Sequence, residues 1–248
     1  MNTFRHAVAA EWVKTRSLRS TVWTPLAIVP MVAGMALFVG VTESLQPDDT
    51  VLGGSLTGAV LAQFAAAVFG VLVVSGEYGS GMHRTTFTAM PRRSLVLAAK
   101  GLVVFTFTVL SAFVASCLGL WIGAWMLSGK GYSDGEPFPA LFGVALCIAL
   151  TALLGLAAGV LLRHSAGAIT AVIGFLMLPG LFAPLFGDFQ GWISGTSPQV
   201  VLQKMTQTSD VTAQNAGSLG AWPSLGLVAA YAVVLLGFAG VRLVRRDA

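Results

Sequence analysis

Charged residues are scarce in this sequence. Asp, Glu, Lys and Arg make up 10% of its 248 residues, whereas 56% of the residues are hydrophobic. A soluble globular chain carries about 25% charged residues, so this chain lacks the side chains that a water-facing surface needs. The same composition excludes disordered, collagen-like and small disulfide-scaffold classes, and both cysteines lie in apolar runs. We therefore interpret the chain as an integral membrane protein.

Asp, Glu, Lys, Arg and His are missing altogether from the long apolar runs. A transmembrane helix needs about 20 apolar residues, and the segments that meet this requirement are 22–41, 56–75, 101–127, 138–162, 166–187 and 224–241. They predict an all-α fold with six transmembrane helices, here called spans 1 to 6. Span 3 is long enough to tilt or to extend past the bilayer. Pro179 and Pro184 predict a kink or break near the end of span 5.

Basic residues are unevenly distributed between the loops. Only Lys130 and Lys204 lie outside the segments 1–21, 76–100, 163–165 and 242–248, so these four segments hold 12 of the 14 Lys and Arg residues. Cytoplasmic loops carry such an excess of basic residues. The distribution therefore predicts that both termini are cytoplasmic. We also expect the chain to be a multi-pass protein of a plasma membrane, and a bacterial one.

The sequence lacks the residues that proton coupling, intramembrane catalysis and nucleotide binding require. Because the spans contain no Asp, Glu, Lys, Arg or His, a proton-coupled carrier loses most of its support. The prolines that break span 5 leave a sodium-coupled carrier open, because such carriers can bind the ion with unwound backbone. No Ser–His pair, Asp pair or H-E-x-x-H motif falls at membrane depth. Segment 76–81 has the glycine spacing of a phosphate loop, but Met82 and His83 follow in place of Lys-Ser/Thr. We expect no catalytic residue, no metal site and no nucleic-acid partner, and hence not an enzyme.

Segment 1–21 has an amphipathic pattern. Phe4, Val8 and Trp12 recur at i, i+4 and i+8 among basic residues, which predicts a short helix lying in the inner membrane interface. Glu11 interrupts the apolar stripe, so a basic tail that only sets the topology is the alternative.

Small residues recur in two of the spans. Gly119 and Gly123 in span 3, and Gly155 and Gly159 in span 4, are spaced for close helix packing. We interpret both pairs as holding helices together within one subunit rather than as a dedicated dimer contact.

Segment 76–100 is the most informative part of the chain. Glu77 stands at the C-terminal end of span 2, where the helix dipole disfavours a carboxylate, so it requires a cationic partner. The candidate partners are Arg84, Arg92, Arg93 and Lys100. His83, Phe87 and Met90 fit one face of a short helix that ends before Pro91. The segment is thus either a folded elbow that contacts another protein or an ordinary basic loop.

These residues resemble a known family. Glu77, Gly79, Arg84, the run 85–88, Met90-Pro91-Arg92 and Lys100 are similar to the corresponding segment of ABC transporter permeases of the type-2 exporter family. The opening Glu11-Trp12-Val13-Lys14, with Arg16-Ser17-Leu18-Arg19, resembles the start of those permeases. The likeness extends over essentially the whole chain, in its length, its six spans and its long outer segment.

The resemblance implies a division of labour between subunits. Such a permease pairs with a second copy or a sister permease, and separate ABC ATPase subunits bind the ATP and magnesium. The elbow and the N-terminal helix would take up the ATPase motion, a role that falls here on Glu77, Gly79, Arg84, Phe87, Met90 and Arg92. The outer segment 188–222 would contain short helices that dip back into the outer leaflet, although a surface cap fits its apolar residues equally well.

We therefore expect an exporter of a hydrophobic or amphipathic substrate, such as a drug, a peptide or a lipid-like molecule. The candidate substrate contacts are Gln63 and Phe64 in span 2, with Phe175 and Met177 in span 5. A non-transporting membrane scaffold or immunity protein is the alternative from another class, because neither role requires charge in the spans.

Overall fold

The computed structural model describes residues 2–17, 19–46, 48–82, 86, 88, 90, 92–209 and 211–245. Over these residues the chain is helical and forms no β-strand, which confirms the predicted all-α class. The helices are α1 (Asn2–Ser17), α2 (Arg19–Leu26), α3 (Ile28–Thr42), α4 (Val51–Leu56), α5 (Ala59–Ser80), α6 (Arg93–Leu127), α7 (Pro137–Leu162), α8 (Ser165–Phe182), a 3₁₀ helix (Ala183–Phe189), α9 (Gln190–Gly195), α10 (Pro198–Thr206), α11 (Ala213–Ala216) and α12 (Ala221–Arg245).

Six helical segments are long and apolar enough to cross a membrane, and they match the six predicted spans. They are Thr21–Thr42, Val51–Ser80, Arg93–Leu127, Pro137–Leu162, Ser165–Gly195 and Ala213–Arg245. The helix of span 3 is the longest, with 35 residues, or about 52 Å at 1.5 Å per residue. The hydrocarbon core is only about 30 Å thick. The helices of spans 2 and 3 therefore continue beyond their apolar cores and include Glu77 and Lys100.

Close contacts at glycine hold the spans together. A Cβ atom at Gly155 would overlap the backbone carbonyl of Ala67, and one at Gly70 would overlap that of Ala152, so α5 and α7 pack backbone to backbone. A Cβ atom on α6 would also be too close to Ser55 of α4, to its carbonyl from Gly119 and to its side chain from Gly123. Both predicted small-residue pairs thus pack within one subunit, as interpreted from the sequence.

The helix ends fall into two groups. At one end, Arg93 Nη1 donates to the carbonyl of Leu243 at 3.3 Å, and the Arg163 guanidinium lies 5.4 Å from the centre of the Tyr78 ring. These contacts bring the start of α6 together with the C-terminal ends of α5, α7 and α12. We call this the basic end. The basic segments of the sequence therefore meet at one end of the bundle, and the cytoplasmic orientation of that end stays a prediction of its charge.

Span 5 breaks where its prolines predict. The helix α8 ends at Phe182, and a 3₁₀ helix with Pro184 in its first turn follows. Gly187, at φ +50° and ψ −120°, then turns the chain into α9. A residue with a Cβ atom rarely adopts positive φ, so glycine suits this corner.

The outer segment returns into the bundle through α10. The carbonyl of Pro198, the first residue of α10, accepts a hydrogen bond from Gln63 Nε2 at 3.0 Å. Gln63 lies near the middle of span 2. The chain leaves α10 at the opposite end, where Gln207 Nε2 donates to the Glu136 carbonyl at 3.1 Å. The helix α10 therefore packs against span 2, and its depth in the outer leaflet stays a prediction.

Candidate functional site

Four charged side chains from three distant segments meet at the basic end. They are Glu11 and Lys14 of α1, Glu77 of α5 and Lys100 of α6, here called the charge cluster. Lys100 Nζ lies 2.6 Å from Glu11 Oε2 and 2.9 Å from Glu77 Oε1. Lys14 Nζ lies 2.9 Å from Glu11 Oε1 and 3.2 Å from the same Glu77 oxygen. Each lysine therefore bridges both carboxylates, and the four charges sum to zero.

The charge cluster is largely shielded from solvent. Glu11 is 3% exposed and Lys100 is 5% exposed, and no other charged residue in the described part of the chain is buried. An unpaired buried charge is very costly, whereas a buried charge that is paired and hydrogen-bonded is tolerated. The two lysines and two carboxylates therefore depend on one another, and together they fix α1 against α5 and α6.

The position of Glu11 follows from the periodicity of α1. Ala7, Glu11 and Thr15 are buried at i, i+4 and i+8 and form the inner face of this helix. The Thr15 hydroxyl donates to the Glu11 carbonyl at 2.8 Å. Beside this face, the Trp12 ring packs against Phe107 of α6 with the ring centres 4.4 Å apart. One ring contact and two ion pairs, Glu11 with Lys100 and Lys14 with Glu77, thus hold α1 on the bundle.

The electrostatics of the cluster keep its α1 residues charged. Burial raises the pKa of the Glu11 carboxyl, but Lys100 and Lys14 outweigh it, so that the pKa lies below its usual value. Burial lowers the pKa of the Lys14 ammonium, and hydrogen bonding and charge from Glu11 and Glu77 again reverse the effect. Both residues are therefore ionised at neutral pH.

A cavity of about 280 Å³ adjoins the cluster and is lined by all four of its residues. Met82 also lines this cavity, at the point where the chain leaves α5 through Gly81 at φ +74°. Lys14 Nζ donates to Thr86 Oγ1 at 3.1 Å. The charge cluster is thus connected directly to the segment that the sequence predicts to be an elbow.

The structure describes four of the six predicted coupling residues, and one of them is a member of the charge cluster. Glu77 belongs to it, and Gly79 lies exposed in the last turn of α5. Met90 is half-buried, and its N–H donates to the Thr86 carbonyl at 2.9 Å. Arg92 is exposed just before α6. Arg84 and Phe87 lie outside the described residues, together with His83 and Pro91 of the predicted elbow helix.

Sequence reasoning found only part of the cluster. Lys100 was among the four expected partners of Glu77, and the structure confirms that pair. Glu11 was interpreted as an interruption of an apolar stripe, and Lys14 as one of several surrounding cations. The sequence does contain a signal for the buried pair. Glu11 lies one turn after the small residue Ala7, which suits a packed helix face, and a glutamate on such a face requires a cation such as Lys14 at i+3.

The N-terminal helix forms as predicted over Asn2–Ser17. Phe4 is 38% exposed, whereas Val8 and Trp12 are half-buried. The depth of this helix relative to the lipid headgroups stays a prediction.

The structure does not bring the candidate substrate contacts together. Gln63 is fully buried and donates from Nε2 to Thr151 Oγ1 at 3.1 Å. Phe64 packs beside Val172 and Leu176 in a separate small cluster. Phe175 contacts the Tyr231 ring, with the centres 6.0 Å apart. Met177 lines a different cavity, of about 400 Å³, among α8, α9 and α10.

Comparison with protein-family models finds no match to the chain, and comparison with curated proteins finds none either.

Proposed function

We propose that this chain is the transmembrane permease subunit of an ATP-driven ABC exporter of the type-2 class. It moves a hydrophobic or amphipathic molecule from the cytoplasm or the inner leaflet outward. The observation that best supports this function is the charge cluster, which fixes the N-terminal helix and the elbow to spans 2 and 3 at one end of the bundle.

Among the described residues, no Asp, Glu, Lys, Arg or His is buried at the middle of the spans. In the part of the chain that the structure describes, the buried polar residues at mid-span are the neutral Gln63, Thr108, Ser116 and Thr151. Proton-driven carriers place ionisable residues at this depth. The distribution of charge therefore favours energy that arrives at the basic end through contact with another subunit.

The charge cluster is suited to pass a displacement into the spans. Its hydrogen bonds are charge-assisted, and such bonds are about twice as strong as neutral ones. Because the cluster is buried, salt screens it much less than it screens a surface ion pair. A push on the elbow reaches Lys14 through Thr86. From Lys14 it passes to Glu77, at the end of span 2, and from there to Lys100.

The proposed assembly contains two permease subunits, either two copies or this chain with a sister permease. Two ABC ATPase subunits lie beneath the basic end on the cytoplasmic side of a bacterial plasma membrane, and they bind ATP and magnesium. The chain itself contributes no catalytic residue.

Purification of the tagged chain from its native membrane in a mild detergent tests this function. We expect an ATP-hydrolysing subunit with a phosphate loop to co-purify in equal amount. The variant Glu77→Gln should lower substrate export while the abundance of the chain in the membrane stays normal. The matched control Glu43→Gln, an exposed glutamate at the opposite end, should leave export unchanged. Export that persists without any co-purifying ATPase would overturn the proposal, and unchanged export in Glu77→Gln would favour the scaffold alternative.

A further inference from the structure

A second feature of the basic end is a large apolar groove on the outside of the bundle. It has a volume of about 950 Å³ and lies between α6 and α12, with Leu153 of α7 at its base and Phe4 of α1 at its rim. Its walls include Leu102, Phe105 and Val233. This groove is separate from the charge cluster, because it contains none of the four cluster residues.

Glycines keep the groove open. A Cβ atom at Gly237 would meet no atom within 4 Å, and one at Gly240 or Gly101 would meet leucine side chains only at 3.7 Å. The groove is therefore a trough that runs along the helices, with room for a slender apolar chain.

The length of the groove matches one leaflet of a bilayer. It extends along α12 from Val233 to Arg245, which is about 18 Å at 1.5 Å per residue. Half of a hydrocarbon core is about 15 Å thick. The groove thus runs from the middle of the bundle to the surface at the basic end.

The surface end of the groove is positively charged. Arg245 and the Ser94 hydroxyl line it there, and both residues are exposed. Arg242 lies in the same last turn of α12. Among the described residues, the groove lining contains no Asp or Glu. Basic pockets between transmembrane helices at a membrane surface are suited to anionic headgroups.

We propose that this groove binds one acyl chain of an anionic phospholipid of the adjacent leaflet, with the lipid phosphate at Arg245 and Ser94. The site requires only that the chain spans a membrane, so it does not depend on the proposed function.

Native mass spectrometry of the purified protein with equal amounts of phosphatidylglycerol and phosphatidylcholine tests this site. We expect the wild-type chain to retain phosphatidylglycerol preferentially. Arg245→Gln should reduce that preference about fivefold, since one basic residue near a membrane surface contributes about that factor. The control Arg16→Gln, at an exposed arginine of α1, should leave the preference unchanged.

A second pair of variants tests the apolar part of the groove. Gly237→Leu fills the trough and should reduce retention of both lipids about tenfold or more, because two buried CH₂ groups are worth that factor. Gly226→Leu is the control on the same helix, at an exposed glycine with no atom within 4 Å of a Cβ. If Gly237→Leu fails to insert, Val241→Trp narrows the same groove from a position that is 51% exposed.

Three outcomes would overturn the assignment. Equal loss of preference in Arg16→Gln and Arg245→Gln would mean that charge attracts the lipid diffusely. Unchanged retention in Gly237→Leu and Val241→Trp would place the lipid elsewhere. A change from dimer to monomer mass in Gly237→Leu or Val241→Trp would identify the groove as a contact between subunits.

Discussion

The two ends of the bundle contain ion pairs of the same length in opposite surroundings. At the basic end, Lys100 and Glu77 are 2.9 Å apart, with side chains that are 6% and 13% exposed. At the opposite end, Lys130 and Glu43 are also 2.9 Å apart, but their side chains are 32% and 61% exposed. Because the N–O distances are equal, the contribution of each pair to stability depends on its burial. Exposed pairs contribute about 0–1 kcal/mol, whereas breaking a buried pair costs about 3–5 kcal/mol.

The remaining contacts extend this comparison. The opposite end is joined by bonds such as the one from the Ser209 hydroxyl to Asp49, at 2.6 Å. The basic end is joined by a closed set of charges that also includes α1. Under the proposed function, the basic end receives force from the ATPase, and a firm joint is needed there rather than at the opposite end.

Removing one lysine of the charge cluster should have the largest effect. Lys100→Met leaves the buried Glu11 carboxylate with Lys14 as its remaining cation in the cluster, and we expect a loss of about 3–5 kcal/mol of stability. Thermal unfolding in detergent measures this loss. Lys130→Met, the same change at the opposite end, is the control. Equal shifts for the two variants would contradict the difference between the ends.

A smaller loss is expected between the ends, where α5 and α7 pack through glycine. Gly155→Ala places a methyl group on the Ala67 carbonyl, and such overpacking typically costs about 1–3 kcal/mol. Gly174→Ala on α8 is the control, because its Cβ would meet its nearest neighbour, Leu178, at an ordinary 3.6 Å. Thermal unfolding should separate the two variants. If they unfold at one temperature, the close packing of these helices is not as described.

Acid should loosen the basic end by less than the lysine substitution, since protonating Glu11 leaves both lysines paired with Glu77. The pKa of Glu11 lies below 4.5 in the folded chain, so its contribution is present above pH 4.5 and is lost as pH falls through the folded pKa. The pKa of Lys14 lies above 10.5, so its contribution is present below pH 10.5 and is lost as pH rises through the folded pKa. Hydrogen exchange of α1, corrected for intrinsic pH effects, should be slow and constant between these limits.

The control for the acid effect comes from the opposite end. Burial raises the pKa of Asp49, but hydrogen bonds from Ser209 and Gln46 outweigh it and lower the pKa overall. Asp49→Asn should leave the exchange of α1 unchanged, whereas Glu11→Gln should remove its acid dependence. An acid dependence that survives in Glu11→Gln would place the titrating group elsewhere.

The exposed pair should matter least. Lys130→Gln is expected to change stability by less than about 1 kcal/mol, because water and salt already weaken this interaction. At high salt concentration, Lys130→Gln and the wild-type chain should have the same stability. A loss as large as that of Lys100→Met would show that burial does not distinguish the ends.

Local signals in the sequence predicted most of the fold. Hydropathy located all six spans. The distribution of basic residues predicted which helix ends lie together, and Pro184 predicted the break after Phe182. Each of these features depends on neighbours along the chain. Helix boundaries were less accurate, because hydropathy ends at Lys100 whereas the helix itself begins at Arg93.

The charge cluster was harder to predict for a physical reason. Glu11 pairs with Lys100, 89 positions away, and Lys14 pairs with Glu77, 63 positions away. On a short amphipathic helix, Glu11 and Lys14 have the pattern of a solvated surface pair. That face of α1 is buried because Ala7 and Trp12 pack against the bundle, which the sequence of α1 alone does not indicate. The inward turn of α10 was left open for the same reason, since its contact with Gln63 is a long-range one.

The proposed function is tested most directly by the ATP hydrolysis rate of the proposed ATPase partner, measured in vesicles that hold it together with the wild-type chain or the Glu77→Gln chain. We predict that the wild-type chain stimulates hydrolysis and that Glu77→Gln, present in equal amount, does not. Equal rates with both chains, or solute accumulation driven by an ion gradient in vesicles that hold this chain alone, would contradict the claim that energy enters through the charge cluster.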